Sequence, residues 1–246
     1  MYISTKAWKS YIKRLSVINQ KAAKEMESYL NRGGMHDDSD TMIDYAFGLS
    51  TKYGEAAAAM TAEWYDAIAK LSKRYINPAE PAEPASFEEV ERAIWGALKE
   101  KSSKAISGAV ERLVKRAGVD TTMKNAIRDG AEWAWIPSGD TCAFCLTLAS
   151  NGWQRASQSA LRGGHADHIH AHCDCTYAIR FNDDMNYDGY NPDVYKDIYD
   201  DADGTSSNDK INSIRRSMYQ LNKDKINAQK RAAYAERKED STDDDI

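Results

Sequence analysis

The chain has 246 residues, 42% of them hydrophobic and 29% charged, so it can bury a core and is predicted to form one or two domains. Its 38 acidic and 33 basic residues leave a net charge of −5, which argues against a whole surface that binds nucleic acid by bulk electrostatics. No window approaches the ~18 consecutive apolar residues of a membrane helix, and lysines and arginines interrupt the first thirty residues. We therefore expect synthesis in the cytoplasm and no membrane partner.

The N-terminal third has the pattern of two helices. Apolar residues recur at about a 3.6-residue period over residues 1–31, and Gly33 ends that pattern. A second amphipathic pattern begins at the cap signal of Ser39 and continues to Tyr75. The two patterns predict an antiparallel helical hairpin over residues 1–78.

Three prolines within seven residues follow the hairpin and cannot continue a helix, so residues 79–86 are predicted to be a proline-rich linker. Ser86 and Glu89 then form a capping box, which predicts a third long helix as far as Gly118. A further helical segment is expected from near Asp120 to before Pro137.

Strand signals are scarce. Alternating apolar residues occur in Thr176–Phe181 and, as an alternative to the helix just described, in Trp133–Ile136. We therefore predict a mainly α fold, in which a long helical hairpin and further helices carry a small irregular insert with short strands.

Composition changes complete the predicted organisation. Residues 183–209 carry a net charge of −8, and residues 210–238 carry a net charge of +7 with an apolar stripe on one helical face. The predicted parts are the hairpin 1–78, the linker 79–86, a helical region 87–136, a zinc-binding insert 137–182, an acidic surface segment 183–209, a basic amphipathic helix 210–238 and a disordered acidic tail 239–246.

All four cysteines and four of the five histidines lie within the 34 residues from Cys142 to Cys175. Cys142 and Cys145 form a Cys-x-x-Cys step, and Cys173 follows after 27 intervening residues. Such a step brings two thiolates to one ion, and four Cys or His ligands satisfy tetrahedral zinc. In a reducing cytosol this spacing favours structural zinc, with two disulfides as the alternative.

The ligand set has one open choice. Cys142, Cys145, Cys173 and Cys175 are the first candidates, but a single residue separates the last two, so His170 competes for the fourth place. We interpret the three neighbouring histidines as solvated loop residues. Four protein ligands leave no open coordination position, which indicates a structural and not a catalytic ion. The affinity for zinc would then become folding free energy, on the order of 10 kcal/mol.

Four segments carry a family resemblance: residues 138–150 with the sequence SGDTCAFCLTLAS, residues 170–175 with HAHCDC, the helical Ala62–Asp66 and the approach Trp133–Pro137. Over roughly residues 40–182 the chain resembles the tailed-phage head morphogenesis or minor capsid proteins of the Mu F type, as found in phages of Gram-positive hosts. Asp174 and Ala171 depart from the commonest family pattern, in which Arg and Pro occur, and both departures leave the ligand types intact.

The resemblance implies a structural component of the virion and not an enzyme. It implies a protein present in few copies in the capsid interior near the portal, which is assembled in the host cytoplasm and acts in capsid assembly or genome packaging. Portal and capsid proteins are the implied partners, and packaged DNA is a further candidate.

The basic helix has two interpretations. It contacts packaged DNA or an acidic face of a partner, or it is a solvated helix that packs on the N-terminal hairpin through Ile214, Met218 and Leu221. The residues proposed for the DNA or partner contact are Arg215, Arg216, Lys223 and Lys225.

Two other functions compete with the capsid role. The step Asp167-His-Ile-His170 beside paired cysteines is also typical of zinc-braced nucleases of the His-Asn-His type, although no histidine follows Cys175. The other alternative is a zinc-stabilised interaction module of the host, in which the helices dock a partner.

Overall fold

The computed structural model describes residues 1–138, 141–157 and 175–240, with side chains for all of them except residue 230 and residues 232–240. The described chain is mainly helical, as predicted. Its α-helices are α1 (Thr5–Asn31), α2 (Ser39–Leu71), α3 (Phe87–Leu98), α4 (Ser103–Asp129), α5 (Ala143–Ala149), α6 (Pro192–Asp200) and α7 (Ser207–Asp240). None of the helices in the described ranges combines the length and the apolar character needed to cross a membrane.

The described strands are short. They are β1 (Tyr2–Ile3), β2 (Glu132–Ile136), β3 (Gln154–Arg155), β4 (Thr176–Arg180) and β5 (Asn186–Tyr187). One sheet has the antiparallel order β3-β2-β4, and β1 pairs in parallel with β5. The chain forms two compact units, of which the first contains residues 1–141 and 151–191 and the second contains residues 142–150 and 192–246.

The predicted hairpin is confirmed as an antiparallel pair, α1 and α2, which also packs on α4 in the first unit. Trp8 and Tyr11 of α1 lie against Trp64 of α2, and the Tyr11 and Trp64 rings stack with centroids 4.7 Å apart. Trp8 also meets the ring of Tyr187 edge-on at 4.9 Å. Burial of these large rings ties the hairpin to the β5 segment and supplies much of the core.

The helix predicted from Ser86 to Gly118 is wrong in one respect, because the structure divides it at residues 99–102. The capping box of Ser86 and Glu89 does open α3, as predicted. Lys101 has a left-handed backbone with φ of 47°, a conformation that a right-handed α-helix cannot include. The next helix, α4, begins at Ser103. The sequence shows neither Gly nor Pro at this break.

The predicted helix boundary between Gly118 and Asp120 is also wrong, because α4 runs through both residues. Gly118 serves packing there: a Cβ built on it would lie 3.0 Å from the Oγ1 of Thr61 on α2. The helix ends at Asp129, and its C-cap Gly130 has a left-handed φ of 66°, which suits glycine. Residues 132–136 therefore form the strand β2, the second of the two structures that the sequence allowed.

The proline-rich linker is neither helix nor strand and lies along α2 and α4. Asn125, only 1% exposed, accepts from the amide of Glu80 at 2.9 Å and donates to the Glu80 carbonyl at 2.8 Å. The amide of Ala82 donates to Thr121 Oγ1 at 2.9 Å. The amide of Ala79 donates to the Asp66 carboxylate at 2.8 Å. Side chains of two helices thus satisfy the backbone that a sheet partner would otherwise satisfy.

The second unit consists of α5, α6 and α7, which contact one another. Lys210 joins the last two helices: its Nζ donates to the carbonyls of Tyr199 at 2.9 Å and Asp200 at 3.1 Å, and it lies 4.8 Å from the Tyr199 ring centroid. A cation at the carboxyl end of α6 stabilises the carbonyls of the last turn and interacts favourably with the helix dipole.

The basic amphipathic helix predicted over 210–238 is confirmed as a helix, since α7 includes that whole range. Ile214 is buried, as expected for its apolar stripe, and Met218 is half-buried. Leu221 is 70% exposed, so the interpretation in which this residue packs on the hairpin is wrong.

Candidate metal centre

The first cysteine pair lies at the start of α5, in the second unit. Cys142 is the N-cap of this helix, with extended backbone angles, and its Sγ accepts from the amide of Cys145 at 3.5 Å. Cys145 is only 1% exposed, and the two residues are not joined by a disulfide. The Cys-x-x-Cys step is therefore presented by a single helical turn, which orients the backbone amide of its second cysteine toward the sulfur of its first.

Cys175 is a buried residue of the first unit, directly before β4. The last pair in the β2–β4 ladder joins Ile136 to Thr176, which brings Ser138 beside Cys175. The amide of Ser138 donates to Cys175 Sγ at 3.4 Å, and this sulfur also lies 3.9 Å from the carbonyl oxygen of Ser138, to which the neutral thiol donates.

The backbone donors of this site could not be predicted from the sequence, because the Ser138 amide reaches Cys175 only through the register of two strands that are far apart in the chain. The only signal was the alternating pattern in both strand segments. It predicts strands but does not fix which residues face one another.

These contacts fit the chemistry of a metal-binding thiolate. A backbone N–H that donates to a sulfur favours its negatively charged form, which is the form that binds zinc. Cys142 and Cys175 each accept such a bond, and at Cys175 the longer contact with the Ser138 carbonyl, to which only the neutral thiol donates, opposes this effect. Amide donors of this kind are typical outer-shell partners of metal-bound cysteine.

The remaining predicted ligands, Cys173 and His170, lie outside the described residues. Within residues 1–138, 141–157 and 175–240, no three side chains of His, Cys, Asp or Glu form a group that could hold a metal ion. The structure therefore describes the cysteines 142, 145 and 175 individually, and the complete ligand set stays a prediction.

A cluster of charged and aromatic residues supports the sheet next to Cys175. Glu132 of β2 stands opposite Arg180 of β4, and the guanidinium donates to the Glu132 carboxylate at 2.6 Å. The same guanidinium lies 4.9 Å from the ring centroid of Trp153, a cation–π contact. Burial raises the pKa of Tyr177 on β4, and the charge of Asp120 adds to this shift. A rigid, largely buried sheet thus holds the backbone at Cys175.

The predicted contact residues Arg215, Arg216, Lys223 and Lys225 all lie on α7 and are exposed. They do not share one face. Arg216 and Lys223 are seven residues apart and lie on the same side, whereas the helical repeat places Lys225 on the side of the apolar stripe. Arg215 also donates to Asn212 of its own helix at 2.8 Å.

Comparison with known proteins finds one family. A family model described as VG15 protein matches residues 2–202, a range that contains the hairpin, the proline-rich linker, the sheet and all four cysteines. No curated protein and no solved structure matches the chain. Because the match spans most of the sequence, the chain belongs to the VG15 protein family and is a protein of phage origin.

Proposed function

We propose that this protein is a minor capsid or head morphogenesis protein of a tailed phage, which acts near the portal in capsid assembly or genome packaging. The observation that carries the proposal is the family match over residues 2–202, which supports a phage origin. The cysteine segments at 138–150 and 170–175 supply the finer resemblance to Mu F-like head proteins. Portal and capsid proteins are the partners we propose.

A structural zinc ion is the cofactor we propose for this role, with Cys142, Cys145, Cys173 and Cys175 as ligands and His170 as the alternative fourth ligand. The amide bonds to the sulfurs of Cys142 and Cys175 support this assignment, because they favour thiolates. When bound, zinc supplies charge neutralisation and four strong bonds, which stabilise a segment with few apolar residues. The role is structural, and we propose no catalytic activity.

The main test of the function is the protein composition of purified phage heads. Mass spectrometry of heads separated from the lysate should detect the chain at a few copies per portal, together with the portal and major capsid proteins. A phage that carries a stop codon early in this gene should produce no infectious particles or heads without DNA. The proposal would be contradicted if the chain were detected in the lysate but not in purified heads, and if the phage with the stop codon gave a normal yield of infectious particles.

The alternative functions give different results. A His-Asn-His type nuclease would nick plasmid DNA when magnesium is added, and the capsid role predicts no nicking. A host interaction module would be encoded away from portal, terminase and capsid genes, whereas the capsid role predicts these genes alongside.

We further propose that the exposed cations of α7 contact packaged DNA. Contact with phosphates releases counterions, so affinity for duplex DNA should fall steeply as salt rises. A variant with four changes to Gln should bind less tightly and with a salt slope reduced by roughly two contacts, because only Arg216 and Lys223 lie on the same side of the helix. The four residues changed are Arg215, Arg216, Lys223 and Lys225.

A matched variant neutralises four exposed cations elsewhere, on α1. These residues are Lys6, Lys9, Lys13 and Arg14. If α7 contacts the DNA, this control should keep the salt slope of the unmodified chain. Equal slopes in the α7 variant and the unmodified chain would remove DNA from the proposed function.

A further inference from the structure

Most of α7 lacks a covering partner among the described residues of its own chain. Ser213 and Ile214 are buried where the helix begins, in contact with α5 and α6. Beyond them the described side chains are exposed except Met218, which is half-buried, and Leu221 is 70% exposed. A long helix with so little packing gains little stability from its own unit, since helical stability in proteins comes mostly from burial of an apolar face.

One stripe of this helix follows a heptad repeat with alternating spacings of three and four residues. Its core positions, a and d in turn, are Ile211, Ile214, Met218, Leu221, Lys225 and Ala228, and all of them except Lys225 are apolar. This 3-4 spacing keeps one stripe of a helix facing a neighbouring helix and is the signature of a coiled coil. The stripe begins with residues that the second unit covers and continues beyond them.

The charges of α7 lie where a coiled coil tolerates them. In the same register, two exposed cations, Arg216 and Lys223, occupy f positions, which face away from the stripe. Successive f positions are separated by one heptad, about 10.5 Å along the axis. Two copies that meet through their stripes would therefore direct these cations outward, so the net charge of +7 opposes their pairing only weakly.

We propose that this stripe, beyond the residues that the second unit buries, packs against the same stripe of a second copy of this chain as a parallel two-stranded coiled coil. Charge complementarity at the seam supports this occupant. Asp224 occupies the g position before Lys225, and in a parallel pair an a residue lies beside the preceding g residue of the other helix. Lys225 of each copy thus meets Asp224 of the other.

A single Lys at an a position specifies register and a two-stranded state at a cost in stability. The pair is therefore expected to be reversible and concentration-dependent.

The test is the mass of the full chain in solution, measured by analytical ultracentrifugation under reducing conditions over a range of concentrations. The unmodified chain should approach twice its 27.6 kDa monomer mass. Leu221→Glu should weaken association roughly tenfold or more, because it places a charge at a d position. Lys225→Ile should strengthen association by a similar factor.

A matched control uses Ile226, which is 50% exposed but occupies a b position outside the stripe. Ile226→Glu should leave the dissociation constant unchanged, and so should Lys223→Gln on the outer face. Because Leu221 is itself exposed, its substitution is not expected to unfold the chain. A monomer mass at all concentrations up to roughly 100 µM, or equal effects of Leu221→Glu and Ile226→Glu, would overturn the proposal.

Discussion

The proline-rich linker depends on one buried amide, and replacement of that amide tests how firmly the linker is held. Asn125 makes two hydrogen bonds to the backbone of Glu80 and donates a third to the carbonyl of Thr121 at 2.8 Å. Asn125→Ala removes all three bonds. At a net ~1 kcal/mol for each of the three bonds, with a partial offset from the higher helix propensity of alanine, we expect a loss of about 2 kcal/mol in the free energy of unfolding.

The expected loss can be measured by urea unfolding monitored through tryptophan fluorescence, and it corresponds to a fall in melting temperature of roughly 4–8 °C. Limited proteolysis should also cut the linker faster in Asn125→Ala. The matched control is Lys124→Ala, since Lys124 is the next residue and forms only an exposed ion pair with Glu80, at 3.0 Å. The control should leave both the urea midpoint and the cleavage rate unchanged. If Asn125→Ala behaves like Lys124→Ala, the linker is not held by this side chain.

Three further predictions concern the first unit. Gly118→Ala should lower the free energy of unfolding, measured in urea, by about 1–2 kcal/mol, because its Cβ meets the buried Thr61 hydroxyl at 3.0 Å. Gly48→Ala, with open space around its Cβ, should raise the free energy of unfolding by up to ~1 kcal/mol, and a gain in both variants would refute the close contact. Ser86→Ala should cost about 1 kcal/mol in thermal unfolding through loss of the capping box, and no loss would show that the cap is not needed. Burial raises the pKa of Tyr11 to about 12. Its contribution to the free energy of unfolding is therefore present below the ordinary tyrosine pKa and is lost as pH rises through about 12. Ionisation of Tyr11, followed by ultraviolet absorbance, should coincide with unfolding, followed by circular dichroism, and ionisation at a lower pH in the folded protein would contradict this.

Local signals in the sequence predicted the parts of the fold that depend on local chemistry. The capping box at Ser86 and the periodic apolar face of α1 act within a few residues, so they could be identified without knowledge of the fold. The break at Lys101 could not, because no glycine or proline marks it. The continuity of α4 through Gly118 was also missed, since a close contact with a residue 57 positions earlier decides it.

The proline-rich linker shows the same limit. Three prolines correctly excluded a helix, but its binding to α2 and α4 depends on Asp66, Thr121 and Asn125, which lie before it and after it in the chain. At the candidate metal centre, the sequence identified the cysteines, and spacing alone suggested their chemistry. The amide donors to the sulfurs of Cys142 and Cys175 came only from the helix start and the strand register.

The identity of the fourth ligand can be separated from the existence of the site. Cys173→Ser and His170→Gln should differ in their effect on zinc affinity, because only one of these side chains is expected to complete a four-ligand set. The variant that removes the true ligand should release zinc to a competing chelator more readily. Equal affinities in both variants and the unmodified chain would exclude both residues.

The metal content of the purified full chain tests the central claim most directly. Elemental analysis by mass spectrometry should find about one zinc per chain. His36→Gln, a change at the histidine outside the cluster, should retain the zinc. Cys142→Ser should lose the zinc and with it part of the helical signal in circular dichroism. A zinc-free chain that is equally well folded, or zinc retained by Cys142→Ser in the same amount, would contradict the account.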